Sequence, residues 1–216
     1  MVKCILIVQS DKTLKMKNLF IPLIFLATFF ASCTKTEFEK ITESIPMDQR
    51  VEKALEFCIN NNYNTDYCIL VDMSIHSGKK RLHLWDFNEN KVVESYLVSH
   101  GCCDNLWSGD ETRNSPRFSN VEDSHCSSLG MYRIGNRGVS SFGVNINYRL
   151  HGLEPSNSNV FNRNIVFHSW DMVGDEEIYP AGTPEGWGCP AVSNKAFLEI
   201  DPYLKNADKP TLFWIY

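Results

Sequence analysis

The sequence carries no glycine-rich phosphate loop of the Walker type, no GxGxxG fingerprint and no internal repeat. Neither common nucleotide cradle is therefore encoded, and a repeat architecture is excluded. Positive charge is short: 21 Lys and Arg stand against 26 Asp and Glu, for a formal net charge of −5. An acidic chain is a poor partner for nucleic acid, whose backbone is bound by clustered cations. The apolar run Leu19 to Phe30 is too short to cross a bilayer, which takes about twenty residues. Chelating cysteine spacing is missing as well. His100, Cys102, Cys103, His125 and Cys126 fall in one region, but adjacent cysteines chelate poorly beside the usual separated pair. Neither a metal nor any other cofactor is expected.

What is present is an ordinary globular composition, 43% apolar and 22% charged over 216 residues. That is enough for one domain with its own core. Lys15-Met16-Lys17-Asn18, the apolar run and Ala31-Ser32-Cys33 together make a secretory signal. A cysteine directly after Ala-Ser marks a bacterial lipoprotein, with Cys33 acylated after cleavage, although Phe30 stands where Leu is usual. Residues 1–32 therefore read as signal, with Met16 the expected start. Residues 33–46 read as lipidated cysteine and polar tether, and 47–216 as the folded domain. The expected protein is exported, monomeric and anchored on the periplasmic side, at the outer membrane.

Val51, Ala54, Leu55, Cys58 and Ile59 recur at helical spacing, with Asp48 as expected N-cap and a stop in Asn60-Asn61-Asn62. Tyr67 to Met73 reads as a strand buried on both faces. Arg81 to Phe87 alternates, turns at Asn88-Glu89-Asn90 and returns through Lys91 to Val98. His76 and His83 read as surface residues. Ser141 to Leu150 and Thr211 to Tyr216 read as further strands. Ser193 caps a helix through Ala196, Phe197, Leu198 and Ile200, with Pro202 beyond its end. Composition and pattern alone give a single β-rich α+β domain.

The chemistry concentrates in Glu185-Gly186-Trp187-Gly188-Cys189-Pro190-Ala191-Val192. Gly188 is free to take positive φ, and Pro190 biases Cys189 toward an extended conformation. Such a turn holds a thiol outward and aims the neighbouring amides at one point, as an oxyanion hole requires. A thiol also needs a base. Ile165 to Phe167 is a short apolar run that makes a buried strand, and His168 stands at its end. A nearby imidazolium would hold the cysteine as thiolate.

This arrangement resembles the active-site signature of the murein L,D-transpeptidase catalytic-domain family: a histidine at a strand end, a loop, then glycine and the nucleophilic cysteine. His168, Gly188 and Cys189 take those places. Phe118-Ser119-Asn120, Ser127-Ser128-Leu129-Gly130-Met131-Tyr132 and Gly152-Leu153-Glu154 extend the likeness over roughly residues 66 to 200. They resemble the branch whose cysteine is followed by Pro-Ala. The chain departs from the family at Gly186, Trp187 and Ala191, which bears on how substrate is held. The nucleophile and base remain.

The resemblance implies an L,D-transpeptidase-like fold, a curved mixed sheet with flanking helices. It implies a Cys189 thioester with a peptidoglycan stem peptide, passed to an acceptor amine. His168 would be base, the Ser169 carbonyl its orienter, and the amides around Trp187, Gly188 and Cys189 the oxyanion donors. His100, Asn120, Ser128 and Tyr132 are the candidate substrate contacts. Arg163 reads as a surface or ion-paired arginine. Asp171, Asp175, Glu176 and Glu177 read as a solvated lid loop or as contacts for the acceptor amine. Three other readings stay open: a hydrolase on the same scaffold, a non-catalytic wall-binding lipoprotein, and a disulfide-rich binding module. Cys58, Cys68, Cys102, Cys103 and Cys126 leave the pairing unresolved; Cys126 with Cys102 or Cys103 would staple the long loop between His100 and Ser128.

Overall fold

The computed structural model describes residues 46–103 and 116–216. The signal, Cys33 and the tether up to residue 45 lie outside the described residues. Helix α1 spans Met47–Asn61 and buries Val51, Ala54 and Cys58, while Ile59 stays exposed. Its N-cap is Pro46, not Asp48. Asp48 sits in the first turn, where a carboxylate still favours the positive end of the helix dipole. The helix ends where Asn62 takes φ 60° and returns its N–H to Cys58 and Ile59, a left-handed cap that asparagine tolerates.

Eight strands follow: β1 (Tyr67–Val71), β2 (Leu82–Asp86), β3 (Lys91–Tyr96), β4 (Gly130–Val139), β5 (Ile146–Gly152), β6 (Val166–Ser169), β7 (Ala191–Val192) and β8 (Leu212–Ile215). Helix α2 (Asn194–Lys205) lies between the last two strands. They form one sheet in the order β3-β2-β1-β8-β4-β5-β6-β7. The β1/β8 and β6/β7 pairs are parallel and the rest antiparallel, so the sheet is mixed.

Alternation splits the core in two. Ile69 and Val71, with Phe213, Ile215 and Phe167, face α2 through Phe197 and Ile200. Cys68 and Leu70, with Leu212, Trp214 and Trp85, face α1 through Val51, Ala54 and Cys58. Both faces of the central strands are dry because a helix covers each side. His83, expected at the surface, is half-buried with Nδ1 2.8 Å from Ser95 Oγ.

Two expectations about element ends are corrected. The strand expected from Ser141 begins only at Ile146, because Gly143 and Asn145 take φ 54° and 61° and turn the chain. The resulting β4–β5 hairpin carries Phe142 at its tip. Pro202 lies inside α2 rather than beyond it. It is exposed, forfeits only the bond its missing N–H would make to Leu198, and is followed by buried Leu204. Ser193 caps this helix, its Oγ accepting the Ala196 N–H at 3.0 Å.

Candidate active site

Residues 185–192 are held between two segments. On one side Gly186 N–H donates to His100 O and Gly186 O accepts from Cys102 N–H, each at 2.8 Å. Ser99 N–H donates to Ala191 O, and Ala191 N–H donates to Ser99 Oγ. On the other side β7 pairs with β6, aligning His168 with Ala191. Cys189 and His168 thereby line one cavity of about 530 Å³. The sulfur accepts the Val166 N–H at 3.4 Å, one two-residue step of β6, about 7 Å of strand, before His168.

Gly188 takes φ 100°, and a Cβ there would lie 2.5 Å from Cys126 O. Only glycine fits both the angle and the space. The Gly188 carbonyl accepts from Ser127 Oγ at 3.1 Å, and that hydroxyl in turn accepts the Gly101 N–H at 3.1 Å. In a trans peptide the C=O and the following N–H point opposite ways. Turning the Gly188 carbonyl onto Ser127 therefore turns the Cys189 N–H away from it. Among the described residues no acceptor takes the N–H of Trp187, Gly188 or Cys189, so these donors are free for an oxyanion.

His168 Nδ1 lies 2.8 Å from the Ser169 carbonyl. A carbonyl only accepts, so Nδ1 carries the proton and Nε2 presents a lone pair. Burial lowers the His168 pKa below the ordinary value, against the Ser169 bond that raises it. That depression favours the neutral ring. Phe142 covers it, the ring centroids 5.4 Å apart. Val144 N–H donates to Ser169 Oγ at 2.9 Å and pins that hairpin tip. Burial raises the Cys189 thiol pKa, opposed by the Val166 N–H and then by the Arg163 and Arg149 guanidiniums.

The four expected substrate contacts fall elsewhere. His100 is wholly buried. Arg81 Nη2 donates to its Nδ1 at 2.8 Å, so its Nε2 bears the proton and faces Glu185 Oε1 at 3.6 Å. It braces residues 185–186 from behind and has no surface to offer a ligand. Tyr132 is 1% exposed and donates its hydroxyl to Ser128 O; burial raises its phenol pKa. Ser128 is buried and donates to Ser119 O at 2.9 Å. Asn120 spends both ends of its amide on Pro155 O, Ser158 Oγ and Asn159 N–H. None of the four lines the cavity. The burial of His100, Ser128 and Tyr132 is a tertiary fact that local pattern does not carry, and Asn120 is half-buried.

The lid acids do not line the cavity either. Asp171 accepts from Asn194, Asp175 from the Ser193 hydroxyl and Glu177 from Lys80 N–H, fastening the loop to the body. Ser99, Phe142 and Trp170, which the sequence does not mark out, line the cavity instead, together with Arg163, expected at the surface or in an ion pair. Trp187, expected to act through its amide, also lays an exposed indole on the rim against His125, centroids 4.9 Å apart. Cys103 is bonded to Cys126, one of the two pairings expected to staple the long loop, and Cys58, Cys68 and Cys189 are free thiols.

Residues 43–215 match the L,D-transpeptidase catalytic domain. The chain belongs to that family. No curated protein matches it. Among solved structures it is similar to an L,D-transpeptidase from Xylanimonas cellulosilytica at 13% identity, over 74% of this chain and 68% of that one, with a TM-score of 0.36. It is also similar to the helical cell shape determining protein Pgp2 from Campylobacter jejuni at 14% identity, over 79% of this chain and 56% of that one, with a TM-score of 0.40. The family assignment of this L,D-transpeptidase domain rests on the match along the chain. The cavity holding Cys189 and His168 lies within the matched span.

Proposed function

We propose that the chain is a peptidoglycan L,D-transpeptidase working through a Cys189 thioester. The observation that carries this reading is one cavity lined by the Cys189 thiol and by the His168 imidazole, whose Nδ1 is held 2.8 Å from the Ser169 carbonyl. Nε2 of His168 takes the thiol proton as the sulfur attacks the amide carbonyl between the L-centre of diaminopimelate and D-alanine. The electron pair of that carbonyl moves onto its oxygen, which the amides at Gly188 and Cys189 stabilise. The tetrahedral adduct collapses to the thioester as His168 returns the proton to the departing amine of D-alanine. An amine of a second stem then attacks the thioester. It gives a proton to His168 as the new amide bond forms, the carbon–sulfur bond breaks, and His168 passes that proton to the departing thiolate. Acyl transfer of this kind needs no metal or cofactor.

The same reading makes the protein an exported lipoprotein anchored through Cys33. The sequence around residues 15–33 supports this, as does the Cys103–Cys126 disulfide, a bond that persists in oxidising compartments. Purified protein incubated with defined tetrapeptide muropeptides is expected to yield cross-linked dimers, and Cys189→Ala none. Shortened monomers without dimers would make water the acceptor and the protein a hydrolase. No product with any stem, and no covalent labelling by a carbapenem, would overturn the reading.

A further inference from the structure

Sequence makes Arg163 a surface or ion-paired arginine, and the proposed reaction assigns it no role. Its surroundings give it one. The guanidinium lines the cavity with Cys189. Nη1 donates to Ser119 O and Ser128 Oγ, each at 2.9 Å, and Nη2 donates to Cys126 O at 2.6 Å. Three acceptors on one wall fix a planar cation that has five N–H donors to give. Nη2 lies only 3.2 Å from where a Cβ on Gly188 would stand, one residue before the nucleophile. A closer side chain at that position would push the cation away, so the glycine admits both the turn and the charge.

The other charged groups around the cavity are screened, disfavoured as cations or of the wrong sign. Arg149, on β5, is drawn outward to Phe161 O and Asn164 Oδ1 at exposed sites, where solvent screens it. Burial disfavours the charged form of His168 on β6. Glu185, Glu122 and Asp123 line the same cavity and oppose a thiolate.

We propose that Arg163 is a positioning residue for the nucleophile's charge: clamped by the wall of residues 119–128, it is the fixed cation against which the Cys189 sulfur ionises. This deepens the reading of Cys189 as nucleophile and rests on it. The proton leaving the thiol goes to His168 or to water; Arg163 stays protonated throughout and forms no bond to the sulfur. A base and a counter-charge, which one imidazolium would otherwise combine, are thus divided between two side chains on successive segments.

The test is the pH dependence of Cys189 alkylation by iodoacetamide in the full chain, with Cys189→Ala subtracted as background. Arg163→Met is expected to raise the midpoint by about one unit, the scale of losing one neighbouring opposite charge. Arg163→Lys keeps the charge but not the planar clamp, and is expected to stay nearer to wild type. A wild-type midpoint in Arg163→Met would overturn the proposal. So would equal shifts in the Met and Lys variants, which would make Arg163 a brace for the wall alone. Should Arg163→Met fail to fold, the Lys variant still decides, because a midpoint displaced by a full unit with the charge retained contradicts the proposal. Alkylation uses no wall peptide, so an error in the assigned substrate leaves this outcome untouched.

Discussion

At the scale of single residues, the state of His168 sets how the site responds to pH. Its pKa is depressed by burial, so the base stays unprotonated down through the ordinary histidine range of about 6.5. Because the thiol pKa is raised, the thiolate fraction keeps growing on the alkaline side. Acylation by a tetrapeptide stem or a carbapenem should therefore fall only below the ordinary histidine value. His168→Asn should remove that acid limb and lower the rate by about 10²–10⁴-fold, the span of one general base. An unchanged rate in stopped-flow acylation of that variant would place the base elsewhere. The segments that bring Cys189 and His168 to one cavity were legible in sequence because their signals are local: a thiol on a Gly-Cys-Pro bend and an imidazole ending an apolar run. The burial of His100 was not, for the opposite reason. A polar residue in a long irregular segment looks available until Arg81 and Glu185, distant in sequence, close around it. The place of Arg163 in the cavity was hidden likewise, since its three acceptors lie on a wall that sequence does not place beside it.

At the scale of elements, the wall formed by residues 116–128 is irregular, and its shape depends on what fastens it. The Cys103–Cys126 bond ties it to the segment that pairs with Gly186, across a separation of 23 residues. Replacing both cysteines by serine should destabilise the protein by about 3 kcal/mol, the loop-closure scale for such a span. It should also raise the Cys189 alkylation midpoint, because Cys126 O is one of the acceptors that hold Arg163. Denaturant unfolding and the alkylation profile measure the two effects separately; a stable, unshifted variant would leave the bond without a role at the site. Both helices were legible from their spacing, and their stops less so. The β4–β5 turn hides in a sequence that alternates like a strand, and only the positive φ of Gly143 and Asn145 reveals the reversal. That misread turn places Phe142 over the imidazole, so an element boundary decides a feature of the site.

At the scale of the whole molecule, α2 is fastened to the sheet by a polar contact as well as by its apolar face. Arg137 on β4 meets Asp201 on α2 through two bonds, at 2.8 and 3.0 Å, and the Tyr148 hydroxyl adds a third at 2.6 Å. The Arg137 bond holds the Asp201 carboxyl below its ordinary pKa. A depressed carboxylate contributes stability that is fully present above the unfolded value, about 4, and is lost as pH falls through the folded value. Asp201→Asn should therefore lower the melting temperature at pH 7 and narrow its gap to wild type in more acid solution. Thermal melts across that range test this, and a constant gap would remove the charge from the account. The mixed fold was legible as a class from composition and pattern. The order of its strands was not, because pairing is decided between segments far apart in the chain.

That order has a further consequence. β8, the final strand in chain order, lies between β1 and β4 and joins the three-stranded half to the four-stranded half. Vectorial synthesis delivers it after every other strand. Until it arrives, two half-sheets present unpaired edges at β1 and β4. The cavity that Cys189 and His168 line is thus expected to take its final form only when this seam closes.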